Sequence, residues 1–280
     1  MSQAETDARH RSAPSCSKHG SVNMTPARSP IAEATALVLR IGRAAMVHAC
    51  EVGRMVSVAA TVPYHLFGSR PDSEYIGLQP VPAHTAPTAR PVLLVHGLGG
   101  TKSSWSHLAK TLSARGLTFA AVTYAPFGTS VERLADRLAV DVERMLSQTG
   151  ADKVHLVGHS LGGVVIAQAL ASGLLGRKVD TVVTLGAPFG GSPWANMLPL
   201  GALIRALRED SPLLRRLASA PAPDGVRWLS VTAALDIVVP GVRSVPPHAH
   251  AETVTVRGVG HLGMLLSDQV AGRIVAALAA

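Results

Sequence analysis

The chain has 280 residues, enough for one large domain, and 47% of them are apolar, enough for a sizeable core. With 26 Gly and 19 Pro in no repeating period, it is neither collagen-like nor a simple repeat array. Two cysteines, Cys16 and Cys50, exclude a disulfide framework and a zinc cluster. The net charge of +8 is spread along the chain, and aromatic residues are only 4%, so nucleic acid is not an expected partner.

Residues 1–30 are small, polar and charged, the composition of a disordered tail. Met24 offers a second translation start inside it. Residues 31–67 follow as a helical segment without proline until Pro63. On a helical wheel Glu33, Arg40, Arg43, Glu51 and Arg54 gather on one narrow stripe, and the rest is largely apolar. These charges argue against a transmembrane span and against a signal peptide. Two readings stay open for residues 31–62: a cover packed on the domain that follows, or a helix lying in a membrane interface with its basic stripe outward. The expected location is cytoplasmic, with or without that peripheral membrane contact. Residues 68–90, with four prolines, read as a linker.

From Pro91 to the end, short apolar runs alternate with helical periodicity. Runs at 92–96, 117–124, 153–157, 179–185, 226–233 and 252–257 predict strands; segments at 103–115, 130–149, 161–175 and 262–279 predict helices. This is an α/β domain with a small, mostly parallel six-stranded sheet covered on both faces. Residues 187–225 interrupt the alternation. There Leu200, Leu203, Ile204 and Leu207 share one helical face, and the segment is a candidate lid or cap.

The sharpest motif is Gly158-His159-Ser160-Leu161-Gly162, between a strand and a helix. The pattern alone is weak, but in this context it is a nucleophile elbow that holds a serine hydroxyl above the carboxyl end of the sheet. The amide of Leu161 then points from a helix N-terminus toward developing negative charge. His96-Gly97-Leu98-Gly99-Gly100 follows the first strand and offers the Leu98 amide as a second donor; the Gly-x-x-x-x-Gly-Lys-Ser/Thr order of a phosphate loop is not met. A serine needs a base, and that base an orienting acid. His261 follows the last strand at the same sheet edge and is expected to begin the final helix. His248 and His250 enter at the opposite edge. Asp236 ends its strand run at the favoured edge, while Asp224 precedes that strand and Asp268 lies within the last helix.

The stretch from Pro91 to Ala280 resembles bacterial lipases and esterases of the α/β-hydrolase superfamily, particularly actinobacterial ones. The motifs that carry the resemblance are PVLLVHGLGG, VHLVGHSLGGVVIAQAL, VVTLGAPFGGSP, Asp236-Ile237-Val238-Val239-Pro240 and GVGHLGML, in family order. It implies an α/β-hydrolase fold in its small six-stranded form, with Ser160 as nucleophile, Asp236 as acid, His261 as base, and Leu98 and Leu161 as oxyanion donors. Phe189 departs from the His or polar residue that relatives often carry there. No carboxylate pair stands out for a calcium site, and neither metal nor cofactor is expected.

The expected activity is cleavage of acyl esters through an acyl-enzyme, on a small-molecule or lipid ester. Trp194, Met197, Leu198 and Leu200 of the lid candidate are the expected substrate contacts. Two alternatives share the fold: an acyltransferase using the same triad, and a binding module without catalysis.

Overall fold

A computed structural model describes residues 30–67, 90–125, 128–197, 201–246, 248 and 250–280, with side chains on the first helix from 33 to 55. Residues 1–29 and 68–89, hence the expected tail, second start and linker, lie outside the described residues. The chain divides into two units, Met1–Arg40 and Ile41–Ala280. Of the first, the described part is the opening of helix α1 (Pro30–Phe67), with Glu33 in its first turn and Leu37, Val38 and Leu39 exposed.

The second unit holds the remainder of α1 and a six-stranded sheet. Its strands are β1 (Val92–Val95), β2 (Phe119–Ala121), β3 (Val154–His159), β4 (Val179–Leu185), β5 (Arg227–Ala233) and β6 (Glu252–Val256). All pair in parallel, in the order β2-β1-β3-β4-β5-β6. Parallel strands need crossovers, and helices supply them in α2 (Ser106–Ala114), α3 (Val131–Thr149) and α4 (Leu161–Ala171), while α8 (Asp268–Ala279) follows β6. Three short helices, α5 (Pro193–Met197), α6 (Ala202–Ala206) and α7 (Pro212–Ser219), lie between β4 and β5.

Side chains alternate across the sheet, so the continuous apolar strands feed two cores. Leu93, Val95, Leu156 and Val182 pack with α3, α4 and α7 on one face. Val92, Leu94, Val157 and Val183 pack with α2 and α8 on the other. Strand order reverses direction at β1: the chain goes outward to β2, then returns past β1 to β3. Such a switch point opens a crevice at the carboxyl ends of its two central strands. The loops after β1 and β3 both start there.

Two expected helices begin later than their periodicity suggests. Residues 102–105 form a 3-10 turn before α2. At the C-terminal end a 3-10 turn (Gly263–Leu266) is separated from α8 by Ser267, whose hydroxyl accepts from the Val270 amide. A serine followed by an aspartate restarts the helix there as an N-cap. His261 therefore sits in the loop before these turns, not at the start of the final helix.

Helix α1 also differs from the simple wheel. Ile41, Met46 and Val52 are exposed, whereas Glu51, on the charged stripe, is 0% exposed. The stripe does not face outward as a whole, because the Glu51 carboxylate has backbone partners in the second unit. Among the described residues no helix is long and apolar enough to cross a membrane.

Candidate active site

The turn between β3 and α4 places Ser160 at φ 52° and ψ −121°, a left-handed conformation that non-glycine residues rarely adopt. The surroundings hold it there. The Ser160 amide donates to the Leu185 carbonyl at 2.8 Å, and its own carbonyl accepts from Gly163 at 3.0 Å. The two motif glycines make room for this bend. A Cβ at Gly162 would lie 2.1 Å from the Val95 carbonyl oxygen, and one at Gly158 2.7 Å from the Gly163 amide nitrogen. Leu161 is the first helical residue of α4, so its N–H has no partner within the helix.

His261 is 3% exposed and comes from the loop after β6. Its Nδ1 lies 2.7 Å from Asp236 Oδ2. The other Asp236 oxygen accepts from the Val238 and Val239 amides at 2.9 and 2.7 Å, so the carboxylate is fixed in one orientation. With Nδ1 donating to Asp236, Nε2 of His261 is left to take a proton. The neighbouring His159 donates from Nε2 to the His261 carbonyl at 3.1 Å. Burial, and then the nearby His261, push the His159 pKa well below its ordinary value, so this ring stays a neutral donor.

The loop after β1 is braced by a second histidine. Tyr124 donates its amide to His96 Nε2 at 3.3 Å and its hydroxyl to the His96 carbonyl. The two rings stack with centroids 4.0 Å apart. His96 Nδ1 in turn donates to the Gly97 carbonyl at 2.8 Å, and Gly100 donates to the same oxygen at 3.0 Å. Burial pushes the Tyr124 phenol pKa upward, which keeps its hydroxyl protonated as a donor. Leu98 and Gly99 are thus held at the rim of the cavity that Ser160 enters.

That cavity has a volume of about 310 Å³. Ser160 and His261 share its wall with mostly apolar side chains, including Met55, Leu98, Trp194, Ile204, Leu207 and Val239. Of the expected substrate contacts, Trp194 lines it. Met197 is 75% exposed and does not line it. Leu198 and Leu200 lie outside the described residues. The segment around α5 is fastened to the loop that carries Asp236: Trp194 Nε1 donates to the Ile237 carbonyl at 2.8 Å and Ser192 Oγ to the Val238 carbonyl at 2.6 Å. This orientation turns Trp194 to the cavity. Ile204 and Leu207 were visible as part of one helical face, yet nothing local separates them from Leu203, which enters the core. Met55 and Glu51, from α1, had no sequence signal tying them to this site.

The other candidates lie elsewhere. His248 packs against Trp228 and His250. Asp268 is exposed and pairs with His107 at 3.1 Å. Phe189 is buried edge-on against Trp228, so its departure from the polar residue expected of the resemblance is absorbed by packing. Among the described residues no three His, Cys, Asp or Glu side chains converge as metal ligands would.

Comparison with known proteins agrees with this architecture. Residues 90–226 match the model of the alpha/beta hydrolase fold family. A triacylglycerol lipase of Pseudarthrobacter phenanthrenivorans is 31% identical over 121 residues, covering 40% of this chain and 37% of the relative. One from Burkholderia plantarii is 31% identical, covering 40% of this chain and 33% of that protein. The chain thus spans about a third of the length of these curated relatives. The crystal structure of Bacillus licheniformis lipase BlEst2 in its mature form superposes with a TM-score of 0.66 at 18% identity, over 75% of this chain and 99% of that one. Six parallel strands, the strained serine at the switch point and the match on residues 90–226 together show an α/β-hydrolase fold in this chain.

Proposed function

We propose that the chain is a serine carboxylester hydrolase, with Ser160 as nucleophile, His261 as base and Asp236 as the orienting acid. The observation that carries the reading is the shared cavity: a strained, elbow-borne Ser160 and a His261 hydrogen-bonded to a buried Asp236 open onto the same apolar space. Ser160 Oγ attacks the ester carbonyl carbon as His261 Nε2 takes its proton. The amides of Leu98 and Leu161 stabilise the oxyanion. Collapse expels the alcohol, which leaves with the proton from His261. Water, activated by the same ring, then attacks the acyl-enzyme, and Ser160 regains its proton. The apolar wall favours an acyl chain over a polar acid, and the names of the triacylglycerol lipase relatives support a lipid ester. Residues 187–225 act as the cap over that chain.

A second reading concerns α1. Its exposed Leu37, Val38, Leu39, Ile41 and Met46, next to Arg40 and Arg43, support contact with an anionic membrane surface. Flotation with anionic vesicles tests it: binding by the full chain supports the contact, and no binding overturns it.

The activity is tested with 4-nitrophenyl esters of two to sixteen carbons. Wild type turns them over, and Ser160→Ala loses activity by about 10⁴-fold or more. Equal rates for the two proteins would reject the mechanism.

A further inference from the structure

We infer that Glu51 of α1 is a positioning residue for the base, clamping the backbone just after His261 so that the imidazole is held toward Ser160. The inference rests on the ester-hydrolase reading and adds to it a part of the site that comes from the helix preceding the sheet.

Glu51 Oε2 accepts from the Leu262 amide at 2.8 Å, and Oε1 from the Gly263 amide at 2.7 Å. Arg54 Nη1 also lies 2.9 Å from Oε1. A fully buried carboxylate is costly unless paired and hydrogen-bonded, and here both oxygens are matched. An apolar residue at position 51 would cover the same surface at lower desolvation cost. What only a carboxylate supplies is two acceptors at fixed spacing, and they meet the two amides that follow the base.

The loop is shaped to receive it. A Cβ at Gly260 would lie 2.4 Å from Glu51 Cγ, and one at Gly263 would lie 3.0 Å from Oε1. The glycines flanking His261-Leu262 therefore clear the path for the glutamate. His261 is then held at three points: its ring by Asp236, its carbonyl by His159, and the next two amides by Glu51. Met55 stands one turn beyond Glu51 on α1 and lines the cavity, so the same helix face reaches both the base and the substrate space.

The test uses the full chain. In Glu51→Gln one oxygen becomes an NH₂ that opposes a backbone N–H. kcat on a 4-nitrophenyl ester is expected to fall about tenfold or more, with KM within about twofold, because the imidazole is misplaced while the acyl cavity is intact. Gly263→Ala crowds Oε1 without removing the carboxylate, and is expected to lower kcat in the same way. The second readout is the low-field proton resonance of His261 Nδ1–H, assigned by its loss in His261→Ala; it should broaden or vanish in Glu51→Gln. Wild-type kcat and an unchanged resonance in a folded Glu51→Gln protein would overturn the inference, as would a loss confined to Tm. If Glu51→Gln does not fold, Gly263→Ala decides by the same criteria. If wild type turns over no ester, the hydrolase reading fails by itself, and the resonance still tests the clamp.

Discussion

The sheet carries an Asp–His pair at each end. At the amino end, Asp180 of β4 lies 3.6 Å from His155 of β3. At the carboxyl end, Asp236 lies 2.7 Å from His261. Both pairs are buried, yet their surroundings differ. Asp180 is committed to cations, at 2.9 Å from both Arg90 and Arg227, and also accepts from the Thr181 hydroxyl. Burial works against its charge, but Arg227, Thr181 and Arg90 outweigh that and lower its pKa. Asp236 instead has one oxygen fixed by two backbone amides and the other free for a ring. That ring shares a cavity with a strained serine. The pair alone is therefore not a site; what matters is what else its carboxylate must satisfy and what its histidine faces.

The largest effect should come from exchanging each acid for its amide. Asp236→Asn is expected to lower kcat on short esters by about 10⁴-fold, because the wrong tautomer is then favoured at His261. Asp180→Asn should leave kcat within about twofold and cost about 1–3 kcal/mol of stability, read from denaturant unfolding. Similar kcat losses in the two variants would break the distinction between the ends.

A smaller effect tests what the carboxyl end adds, its apolar space. Ile204→Trp narrows the cavity. kcat/KM for the longest 4-nitrophenyl esters should fall about tenfold, while the acetate ester is nearly unaffected. A uniform loss at every chain length would remove Ile204 from the acyl wall.

The smallest effect belongs to the amino end and is a matter of pH. Burial pushes the His155 pKa down to about 4, with Asp180 opposing and Arg90 and Arg227 adding to the shift. The unfolded chain then binds this proton more readily than the folded one. The contribution is full above the ordinary histidine value of about 6.5 and is lost as pH falls toward 4. Asp180, with its lowered pKa, pushes in the same direction at still lower pH. Tm should therefore fall from pH 7 to 4, and less steeply in His155→Asn. An identical slope in the variant would show that His155 does not carry this linkage.

Much of the fold was legible because its signals are local. Each expected strand is present within about three residues at either end, since most are buried on both faces and so apolar throughout. The elbow was legible because two glycines and a serine leave few alternatives at a strand-to-helix turn. Chain order and sheet edge were enough to point to Asp236 and His261, because a parallel sheet sends every strand's end to the same side. The late start of α8 was harder, because a serine cap and an apolar period compete over the same few residues.

The cavity wall shows where such reasoning stops. Trp194 and Met197 lie three residues apart in one apolar stretch, yet one lines the cavity and the other is exposed. The difference follows from how α5 is tied to the Ile237 and Val238 carbonyls, which no local pattern records. Glu51 is the extreme case. Its wheel position marks it as part of a solvated stripe, and its partners are 211 and 212 residues away. The sequence by itself determined the parallel sheet, the elbow and the chain order of the candidate triad, since each depends on neighbours within a turn or a strand. Only the tertiary structure decided which side chains line the cavity and which carboxylate holds the loop of His261. Those contacts depend on how separate elements dock, and a helix face or a buried charge has no partner until they do.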